Sequence, residues 1–545
     1  MTWHPAWPYL VGALLVAIAP PAVRRLALLG APPVAVTLAW FAPEGADVTH
    51  TVMGHTLVLL HMDPLARVFA LVFALAGGLA ALYGLAHGSR RLHGAAFVAA
   101  AAALSIALAG DWLTFYTSWE LLAIASFVIV TDGGTAAARA SALRYLLVHV
   151  VGGACLLAGI VWLAVHGHGL AVGPLALDAG GTLILLAFAV NAALPPLHAW
   201  LTEAYPESSP GGTVVLSAFA TKAAVYALAR VFPGTEALVW AGVTMALYGV
   251  IFAVLENDIR RLLAYHIVSQ VGYMVAAVGM GTPLALSGAA AHAFCHILYK
   301  ALLLMGAGAV VHATGRRRLT ELGGLAGAMP LTFALYMVGA LSISGAPLLN
   351  GFVSKSLIVS AAEADHREVV AMLLALAAVG TFLHTGLKLP YFTFAGPARG
   401  ASPTPVPRSM LLAMTITAGL CFALGVAPGP LYALLPFPVE QSPYTMNHVI
   451  TALELLAGTA VGFVLLRRHL GGEPMITLDF DRLYRATGRW VADGLGAAVA
   501  RAADLLEAKA LAAVQQPPRP GPAITSPLGY ALLTALASLT LLLLT

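Results

Sequence analysis

The sequence predicts an all-α polytopic membrane protein with about 14–16 transmembrane helices. Of its 545 residues, 60% are hydrophobic and 10% are charged, whereas a soluble domain typically carries about 25% charged residues. The mean hydropathy is +0.87, and a spanning helix needs roughly 20 predominantly apolar residues. This composition excludes a soluble enzyme of the same size.

Apolar runs alternate with short polar breaks along the whole chain, and each sufficiently long run predicts a helix. In chain order, the predicted helices cover 6–20, 24–42, 65–87, 92–109, 112–131, 142–166, 182–204, 212–231, 237–256, 262–281, 285–313, 329–362, 369–395, 409–435, 447–466 and 528–545. No basic region precedes the first apolar run, so we expect no cleavable signal peptide there.

Basic residues cluster after odd-numbered predicted helices, which indicates an orientation. The clusters are Arg24/Arg25, Arg90/Arg91, Arg139/Arg144, Arg260/Arg261, Arg316/Arg317/Arg318 and Arg467/Arg468. The intervening loops carry almost no Lys or Arg, and the loop at 43–61 holds Glu44 and Asp47 instead. Because cytoplasmic loops carry the excess of Lys and Arg, we expect a multi-pass protein of the cell (inner) membrane with its N-terminus outside.

Two predicted spans are interrupted by proline at corresponding places. The seventh contains Leu194-Pro195-Pro196, and the twelfth contains Gly345-Ala346-Pro347. Proline removes a backbone donor and clashes with the preceding turn, and paired interrupted helices point to inverted repeats around a midplane site. We therefore expect two inverted five-helix repeats, each a half-channel, at 92–232 and 237–395. Ordinary proline kinks are the alternative.

The rest of the chain is divided by the same criteria. Residues 1–91 hold N-terminal transmembrane helices, 396–468 hold C-terminal ones, and 528–545 form a final span. Residues 469–527 are polar, then amphipathic, then proline-rich. This pattern is typical of a helix lying along the membrane surface or against partner subunits, with a solvated linker helix as the alternative.

Ionisable residues recur inside the predicted spans, where charges are costly and usually mark ion or proton paths. The predicted proton pathway consists of Glu120, Lys222, His292, His296, Lys300, Lys355, His384 and Lys388. His292, His296 and Lys300 are spaced i, i+4, i+8, so they follow one helical face over roughly 12 Å. Such groups can pass protons through intervening water, and a Glu120–Lys222 pair would form a switch.

Two other interpretations of the histidines stay open. His292 and His296 could bind a metal ion, although the segment reads His-Ala-Phe-Cys-His and lacks the glutamate of an HExxH zinc helix. Alternatively, these buried polar groups only pin helices together. The isolated cysteines Cys155, Cys295 and Cys421 form no CxxC pair, and no dinucleotide or Walker A fingerprint occurs. We predict no cofactor, no bound metal, no nucleic-acid partner and no redox site of the chain's own.

The chain resembles the antiporter-like membrane subunits of Mrp-type cation/proton antiporters, respiratory complex I and membrane-bound hydrogenases, and is most similar to the D-type Mrp subunit. The resemblance is clearest over 65–395. The matching blocks are Trp119-Glu120, Leu194-Pro195-Pro196-Leu197-His198-Ala199-Trp200-Leu201, Thr221-Lys222-Ala223-Ala224-Val225-Tyr226, 257–265, His292-Ala293-Phe294, Tyr299-Lys300-Ala301-Leu302-Leu303 and Gly351-Phe352-Val353-Ser354-Lys355.

The resemblance implies roles for particular residues. The family's fifth-helix glutamate matches Glu120, its eighth-helix lysine Lys222, its central histidine and lysine His296 and Lys300, and its terminal lysine Lys355. In the family these groups form a hydrated axis that moves protons across the membrane. One position departs, because Asn191 stands where the family usually has a lysine before the break in the seventh helix.

The expected function is proton translocation as a subunit of a multi-subunit cation (Na⁺)/H⁺ antiporter, with other membrane subunits, the bilayer, H⁺ and Na⁺ as partners. The first alternative is the proton-pumping subunit of a redox-driven complex such as a complex I-like or hydrogenase-like enzyme. The second alternative is a non-transporting or energy-coupling membrane scaffold. Asn191 favours the scaffold, since an amide does not carry a proton charge.

Overall fold

The computed structural model describes residues 3–52, 55–471 and 479–480. Residues Met1–Thr477 form one compact unit and Leu478–Thr545 a second. Only Asp479 and Phe480 of the second unit are described, so the architecture below is that of the first. The predicted final span at 528–545 and almost all of the predicted amphipathic segment at 469–527 lie outside the described residues.

The described residues are overwhelmingly helical, which confirms the predicted all-α class. The helices are α1 (Trp7–Ile18), α2 (Pro21–Phe41), α3 (Pro64–Gly84), α4 (Arg90–Leu108), α5 (Trp112–Thr131), α6 (Ala136–Val165), α7 (Ala179–Asn191), α8 (Ala199–Glu207), α9 (Pro210–Ala218), α10 (Ala220–Val231), α11 (Glu236–Leu255), α12 (Ile259–Met280), α13 (Pro283–Thr314), α14 (Pro330–Ile343), α15 (Asn350–Ala364), α16 (Glu368–Thr381), α17 (Arg408–Val426), α18 (Gly429–Tyr432) and α19 (Met446–Leu466).

Twelve helical stretches of the described chain are long and apolar enough to cross a membrane. Three shorter apolar helices, α1, α7 and α14, add to these. The predicted helix at 409–435 ends earlier than expected, at Val426, because Pro428 follows and cannot continue the hydrogen-bond ladder. The protein is therefore a polytopic membrane protein.

A two-stranded hairpin occupies the stretch between α2 and α3. Strand β1 (Asp47–Val52) pairs antiparallel with β2 (His55–His61), and Asp47 lies opposite His61. The sequence predicts only a loop at 43–61, which is wrong for these residues. The missed signal is the run of β-branched residues, such as Val48, Thr49 and Val58, which favour a pleated and half-buried surface.

Both predicted helix interruptions are present. The seventh predicted span breaks between α7 and α8, where Ala193 adopts φ 60° and the Pro195–Pro196 bond is cis. The twelfth breaks between α14 and α15, where Gly345 adopts φ 77°. A left-handed residue one or two positions past the helix end turns the chain away from its axis, so the same device ends both half-helices.

The structure contains a third helix interruption that the sequence does not predict, because 212–231 is predicted as one helix. Helix α9 ends at Ala218, and α10 begins at Ala220. Phe219 between them has φ −105° and ψ −68°, so the backbone departs from the regular helix without any proline. Lys222 follows this irregularity by three residues.

Helices α12 and α13 form the centre of the bundle. The most apolar 18-residue stretch is 100% buried in α12 and 94% buried in α13, against 28% in α2 and 11% in α19. Glycines permit the closest helix approach: a Cβ atom on Gly242 of α11 would lie 2.2 Å from the backbone nitrogen of Ala276 in α12. Small residues at such contacts let backbones approach closely, as is usual between membrane helices.

Candidate functional site: a buried polar axis

Lys222 lies directly after the irregularity that separates α9 from α10. Its side chain is fully buried. Its Nζ donates hydrogen bonds to the carbonyl oxygen of Ser217 at 2.7 Å and to Oγ1 of Thr221 at 3.2 Å. The freed carbonyl at the end of α9 thus supplies a partner for this lysine, as irregular helix ends do for cations.

Glu120 lies on α5, facing α6. Its Oε1 atom is buried and has no hydrogen-bond partner. Gly153 leaves the space that this carboxylate occupies, because a Cβ atom there would lie 2.0 Å from Oε1. The hypothesis that Glu120 pairs with Lys222 is wrong for this structure, since Lys222 bonds to Ser217 and Thr221 instead.

Asn191 is the last residue of α7, immediately before the break. It is 2% exposed, and its Oδ1 has no hydrogen-bond partner. A buried amide oxygen without a partner costs free energy unless water or another donor reaches it. The position at which the resemblance expects a lysine is therefore buried at a helix end and polar, but it carries no charge.

Helix α13 carries the expected row of titratable groups, all of them fully buried. The Nδ1 atom of His292 lies 2.9 Å from Oγ of Ser354, and its Nε2 lies 3.3 Å from the hydroxyl of Tyr299. Both ring nitrogens of His296 and the Nζ of Lys300 have no partner. The row therefore passes from a hydrogen-bonded histidine to two groups that the protein itself leaves unsatisfied.

A hydrogen-bonded chain of uncharged groups extends from this row, and the sequence prediction does not include it. The hydroxyl of Tyr299 lies 3.4 Å from Oε1 of Gln270 in α12, and Nε2 of Gln270 lies 3.4 Å from Oγ1 of Thr381 in α16. The chain links His292 through three helices. The available signal was Gln270 itself, an amide within the apolar run 262–281.

Lys355 lies on α15, just beyond the break in the twelfth predicted span. Its Nζ donates to the carbonyl oxygen of Ile343, the last residue of α14, at 2.6 Å. The same nitrogen lies 5.0 Å from the centroid of the Tyr273 ring. A helix C-terminus carries partial negative charge, so the break creates a site for this cation.

His384 and Lys388 lie on a π-helical turn, Phe382–Lys388, that follows α16. Neither His384 nor His266 has a partner on either ring nitrogen, and their ring centroids lie 6.2 Å apart. The Nζ of Lys388 donates to the carbonyl oxygens of Val254 at 2.6 Å and Glu256 at 3.2 Å. π-helical turns inside α-helices are frequent at functional sites.

The helices that carry these groups pack against one another. Helix α13, with His296 and Lys300, contacts α10, which carries Lys222, α12, which carries His266, and α15, which carries Lys355. The ring centroids of His292 and His296 lie 6.2 Å apart. We call the set Lys222, His296, Lys300, His266, His384, Lys388, His292 and Lys355 the polar axis. Glu120 on α5 and Asn191 on α7 are not included in this set.

The positions of the lysines in the sequence coincide with the polar axis. The chain has five lysines, at positions 222, 300, 355, 388 and 509. The four that the structure describes are at most 6% exposed. Lysine loses its proton readily when buried, whereas arginine does not. The cation that can be neutralised is therefore concentrated in the bundle interior.

The unsatisfied atoms indicate what the polar axis can do. Burying a polar group without a partner costs roughly 2–7 kcal/mol, and native structures satisfy the large majority of such groups with protein or water. Several neighbouring groups here have no protein partner, so water is the remaining one. A row of water-linked histidines and lysines can accept and release protons. Within the described residues, no cluster of three His, Cys, Asp or Glu side chains is placed to hold a metal ion.

Residues 109–383 match the family described as "NADH:quinone oxidoreductase/Mrp antiporter, TM". The chain belongs to this family. The match covers both interrupted spans and most of the polar axis, and the resemblance inferred from the sequence blocks is thereby confirmed. The family comprises antiporter-type membrane subunits of both Mrp and complex I-like assemblies.

Individual relatives agree with this assignment. The chain is 30% identical over 348 residues to the D subunit of the Na(+)/H(+) antiporter of Alkalihalophilus pseudofirmus, covering 60% of this chain and 70% of that protein. It is 35% identical over 373 residues to an uncharacterized protein of Mycobacterium tuberculosis, covering 60% of this chain but only 57% of the relative's length. A chain of the Mrp complex from Dietzia sp. DQ12-45-1b superimposes with a TM-score of 0.76 at 26% identity, covering 96% of this chain and 64% of that chain.

Proposed function

We propose that the chain is a proton-translocating membrane subunit of a multi-subunit cation/H⁺ antiporter, with Na⁺ as the exchanged cation. The observation that carries this proposal is the row of buried titratable groups on α13, in which His296 and Lys300 have no protein hydrogen-bond partner. A merely structural polar cluster would satisfy its own hydrogen bonds. Family membership and the likeness to a subunit named for Na⁺/H⁺ antiport support the same conclusion.

The proton pathway divides into two half-channels under this proposal. The first lies in 92–232 and contains Glu120, Asn191 and Lys222; the second lies in 237–395 and contains the rest of the predicted pathway. The two matching helix breaks support an inverted-repeat relation between the halves. The contact of α10, which carries Lys222, with α13, which carries His296 and Lys300, supports a junction between the halves at the centre of the bundle.

Proton transfer along the axis needs groups that change charge at moderate cost. A buried lysine is neutral when desolvated and charged when water or an acceptor reaches it. Lys222 and Lys355 each donate a hydrogen bond to a backbone carbonyl oxygen that a helix irregularity leaves free. This hydrogen bond stabilises the charged form of each lysine. His296 and Lys300 have no such partner, so a proton is held less firmly there and passes on through water.

The membrane location, the orientation and the partners of the chain are also part of what we propose. We place the chain in the cell (inner) membrane with its N-terminus outside, because the arginine clusters follow odd-numbered spans. Other membrane subunits are its partners, which the likeness to a chain of the Mrp complex supports. The amphipathic stretch at 469–527, which the described residues hardly reach, is the proposed contact with those subunits.

Asn191 favours a specific variation on the family scheme. Because an amide cannot carry the charge of a lysine, the first half-channel depends on Lys222 and on water held near Asn191. The buried, unpartnered Oδ1 of Asn191 supports this role. If transport does not survive this change, the chain is instead a non-transporting or energy-coupling scaffold.

The test uses inverted membrane vesicles that contain the full chain with the subunits encoded beside it. A pre-formed pH gradient is monitored with a fluorescent dye, and Na⁺ or K⁺ is added. We expect the cation to dissipate the gradient with the unmodified protein. Lys300→Arg keeps the charge but hardly releases a proton, so this variant and Lys222→Ala should lose at least 90% of the rate. Arg408→Ala is the control, since Arg408 is an exposed cation at the start of α17, outside the polar axis, and should keep it.

Equal dissipation by all these variants would contradict transport through the axis. A redox-driven proton pump is the second candidate, and it is favoured by the NADH:quinone oxidoreductase part of the family description. Purification of the intact complex distinguishes the two: cofactor-bearing subunits support the redox pump, and only small membrane subunits support the antiporter.

A further inference from the structure

A cavity of about 140 Å³ lies beside Lys355, and proton transfer along the polar axis leaves it unused. We call it the Lys355 cavity. Its walls are contributed by α15, α16 and α19, by Ser344 and Gly345 in the break after α14, and by Tyr273 of α12 and Phe382 of the π-helical turn. Lys355 and Tyr273 line its buried part, and Glu363, Asn447 and Thr451 line it where side chains are exposed.

The cavity follows the length of α15 towards one surface of the bundle. Lys355 and Glu363 are eight residues apart on this helix, which corresponds to about 12 Å along the axis. Near the exposed part, Nε2 of His448 lies 3.3 Å from Oγ of Ser360. Helix α19 therefore meets the C-terminal end of α15 with its own N-terminal turn, and titratable groups from both helices lie there.

The surface to which the cavity opens is fixed by α11, which runs from Glu236 to Leu255. Arg367, three residues beyond α15, forms an ion pair with Glu236 at 2.8 Å. Lys388 instead donates to the carbonyl oxygens of Val254 and Glu256, at the other end of α11. Lys355 thus has a cavity towards the Glu236 end, while the π-helical turn approaches the Glu256 end.

We propose that the Lys355 cavity is the water-filled port that connects Lys355 with the aqueous phase at the Glu236 end, and that Glu363 is the proton acceptor at its mouth. This inference rests on the proposed function. In the step, the ammonium group of Lys355 gives one proton to a cavity water. The proton moves along the water chain to the carboxylate of Glu363, which passes it to bulk water. The reverse order loads Lys355 from that side.

The chemistry of the walls explains how such a port avoids a continuous leak. Leu374, Ala378 and Phe382 contribute an apolar wall, and apolar cavities of this size do not hold water firmly. A volume of 140 Å³ accommodates only roughly four waters at about 30 Å³ each. Hydrophobic constrictions gate by losing their water, so the port conducts only while it is wetted.

Helix α19 offers a matched pair of substitutions for testing this port. Ala452 lines the cavity, whereas Ala457 is exposed on another face of the same helix. Ala452→Phe should fill much of the space and lower cation-dependent proton flux in the vesicle assay at least fivefold. Ala457→Phe adds the same bulk towards lipid and should keep flux within twofold of the unmodified protein.

A second pair tests the acceptor without adding bulk. Glu363→Gln should lower proton flux about threefold and Glu368→Gln should leave it unchanged. Glu368 is an exposed carboxylate in the first turn of α16, near the same surface, and it does not line the cavity. Because both changes are isosteric at exposed positions, neither relies on a core substitution being tolerated.

A third measurement tests directly whether a water-soluble reagent reaches the Lys355 cavity. The thiol introduced by Ser356→Cys in the cavity wall should react with a small membrane-impermeant thiosulfonate applied to the Glu236 side, and Ala452→Phe should slow that labelling at least tenfold.

If Ala452→Phe and Glu363→Gln both keep full flux while Lys355→Ala abolishes it, the port is overturned and the proposed function stands. If Lys355→Ala also keeps full flux, the proposed function fails together with the port. Retained flux together with an unreactive introduced thiol is expected if a lipid acyl chain fills the cavity, and that result also overturns the port.

Discussion

Replacing Lys300 by methionine separates a transport role from a helix-pinning role. The Nζ atom of Lys300 is fully buried and has no hydrogen-bond partner, and methionine is unbranched and fills nearly the same space. Leaving a buried donor unsatisfied costs about 1–3 kcal/mol, and bound water offsets part of that cost. We therefore expect Lys300→Met to raise the free energy of unfolding by about 1 kcal/mol, while cation-dependent proton flux falls at least tenfold.

Lys222→Met provides the matched comparison for the same residue type. Lys222 donates two hydrogen bonds inside the protein, to Ser217 and Thr221. Each such bond contributes about 0.5–1.5 kcal/mol net, so this substitution should lower the free energy of unfolding by about 1–2 kcal/mol. Both variants should lose flux, but their stabilities should change in opposite directions.

The assay is equilibrium unfolding of the purified protein in mixed micelles, combined with proton flux in vesicles made from the same preparation. A difference of about 1.4 kcal/mol corresponds to a tenfold change in the unfolding equilibrium constant, which such titrations resolve. If Lys300→Met lowers stability by more than about 1 kcal/mol and leaves flux unchanged, Lys300 pins helices and the reasoning is refuted.

Two further predictions concern glycines. Gly153→Ala places a methyl group 2.0 Å from Oε1 of Glu120, so the carboxylate must rotate away and proton flux should fall severalfold. Gly152→Ala makes only an ordinary 3.4 Å contact and should preserve flux; equal flux in both variants would show that the position of Glu120 is unimportant. Gly242→Ala sets a methyl against the backbone of α12 at 2.2 Å and should destabilise the protein by about 1–3 kcal/mol. Gly458→Ala meets nothing within 4 Å and should leave the unfolding midpoint unchanged, and matched midpoints would contradict the packing argument.

Most of the helical architecture was predictable because lipid imposes a simple local rule. Any spanning segment must satisfy its backbone internally and present apolar side chains, so helix positions follow from hydropathy alone. The breaks at Pro195-Pro196 and Pro347 were predictable for a similar reason, since proline acts on its own turn. The break at Phe219 was not, because no residue type there enforces the backbone geometry. The hairpin at 47–61 was signalled only by its β-branched residues, which favour a strand without requiring one.

The sequence predicted which residues belong to the candidate site, but not which of them form hydrogen bonds with one another. All predicted lysines and histidines of the pathway lie buried in the bundle, as intramembrane charges should. Their roles in proton transfer stay predictions. The expected Glu120–Lys222 pair is not formed, and the link through Gln270 was not anticipated. Partners of this kind come from residues far apart in the chain, such as Gln270 and Thr381, so no local pattern reveals them.

Residue chemistry and hydropathy are properties of the sequence alone. They determined that this protein is a helical membrane protein with titratable groups in its interior, and they located two of its broken helices. Tertiary packing decided which of those groups are satisfied. Lys222, Lys355 and Lys388 each find backbone carbonyls, while Lys300 and His296 find none. The reason is that a carbonyl becomes available only where a helix ends or is interrupted next to the side chain. That coincidence depends on how separate helices pack in three dimensions.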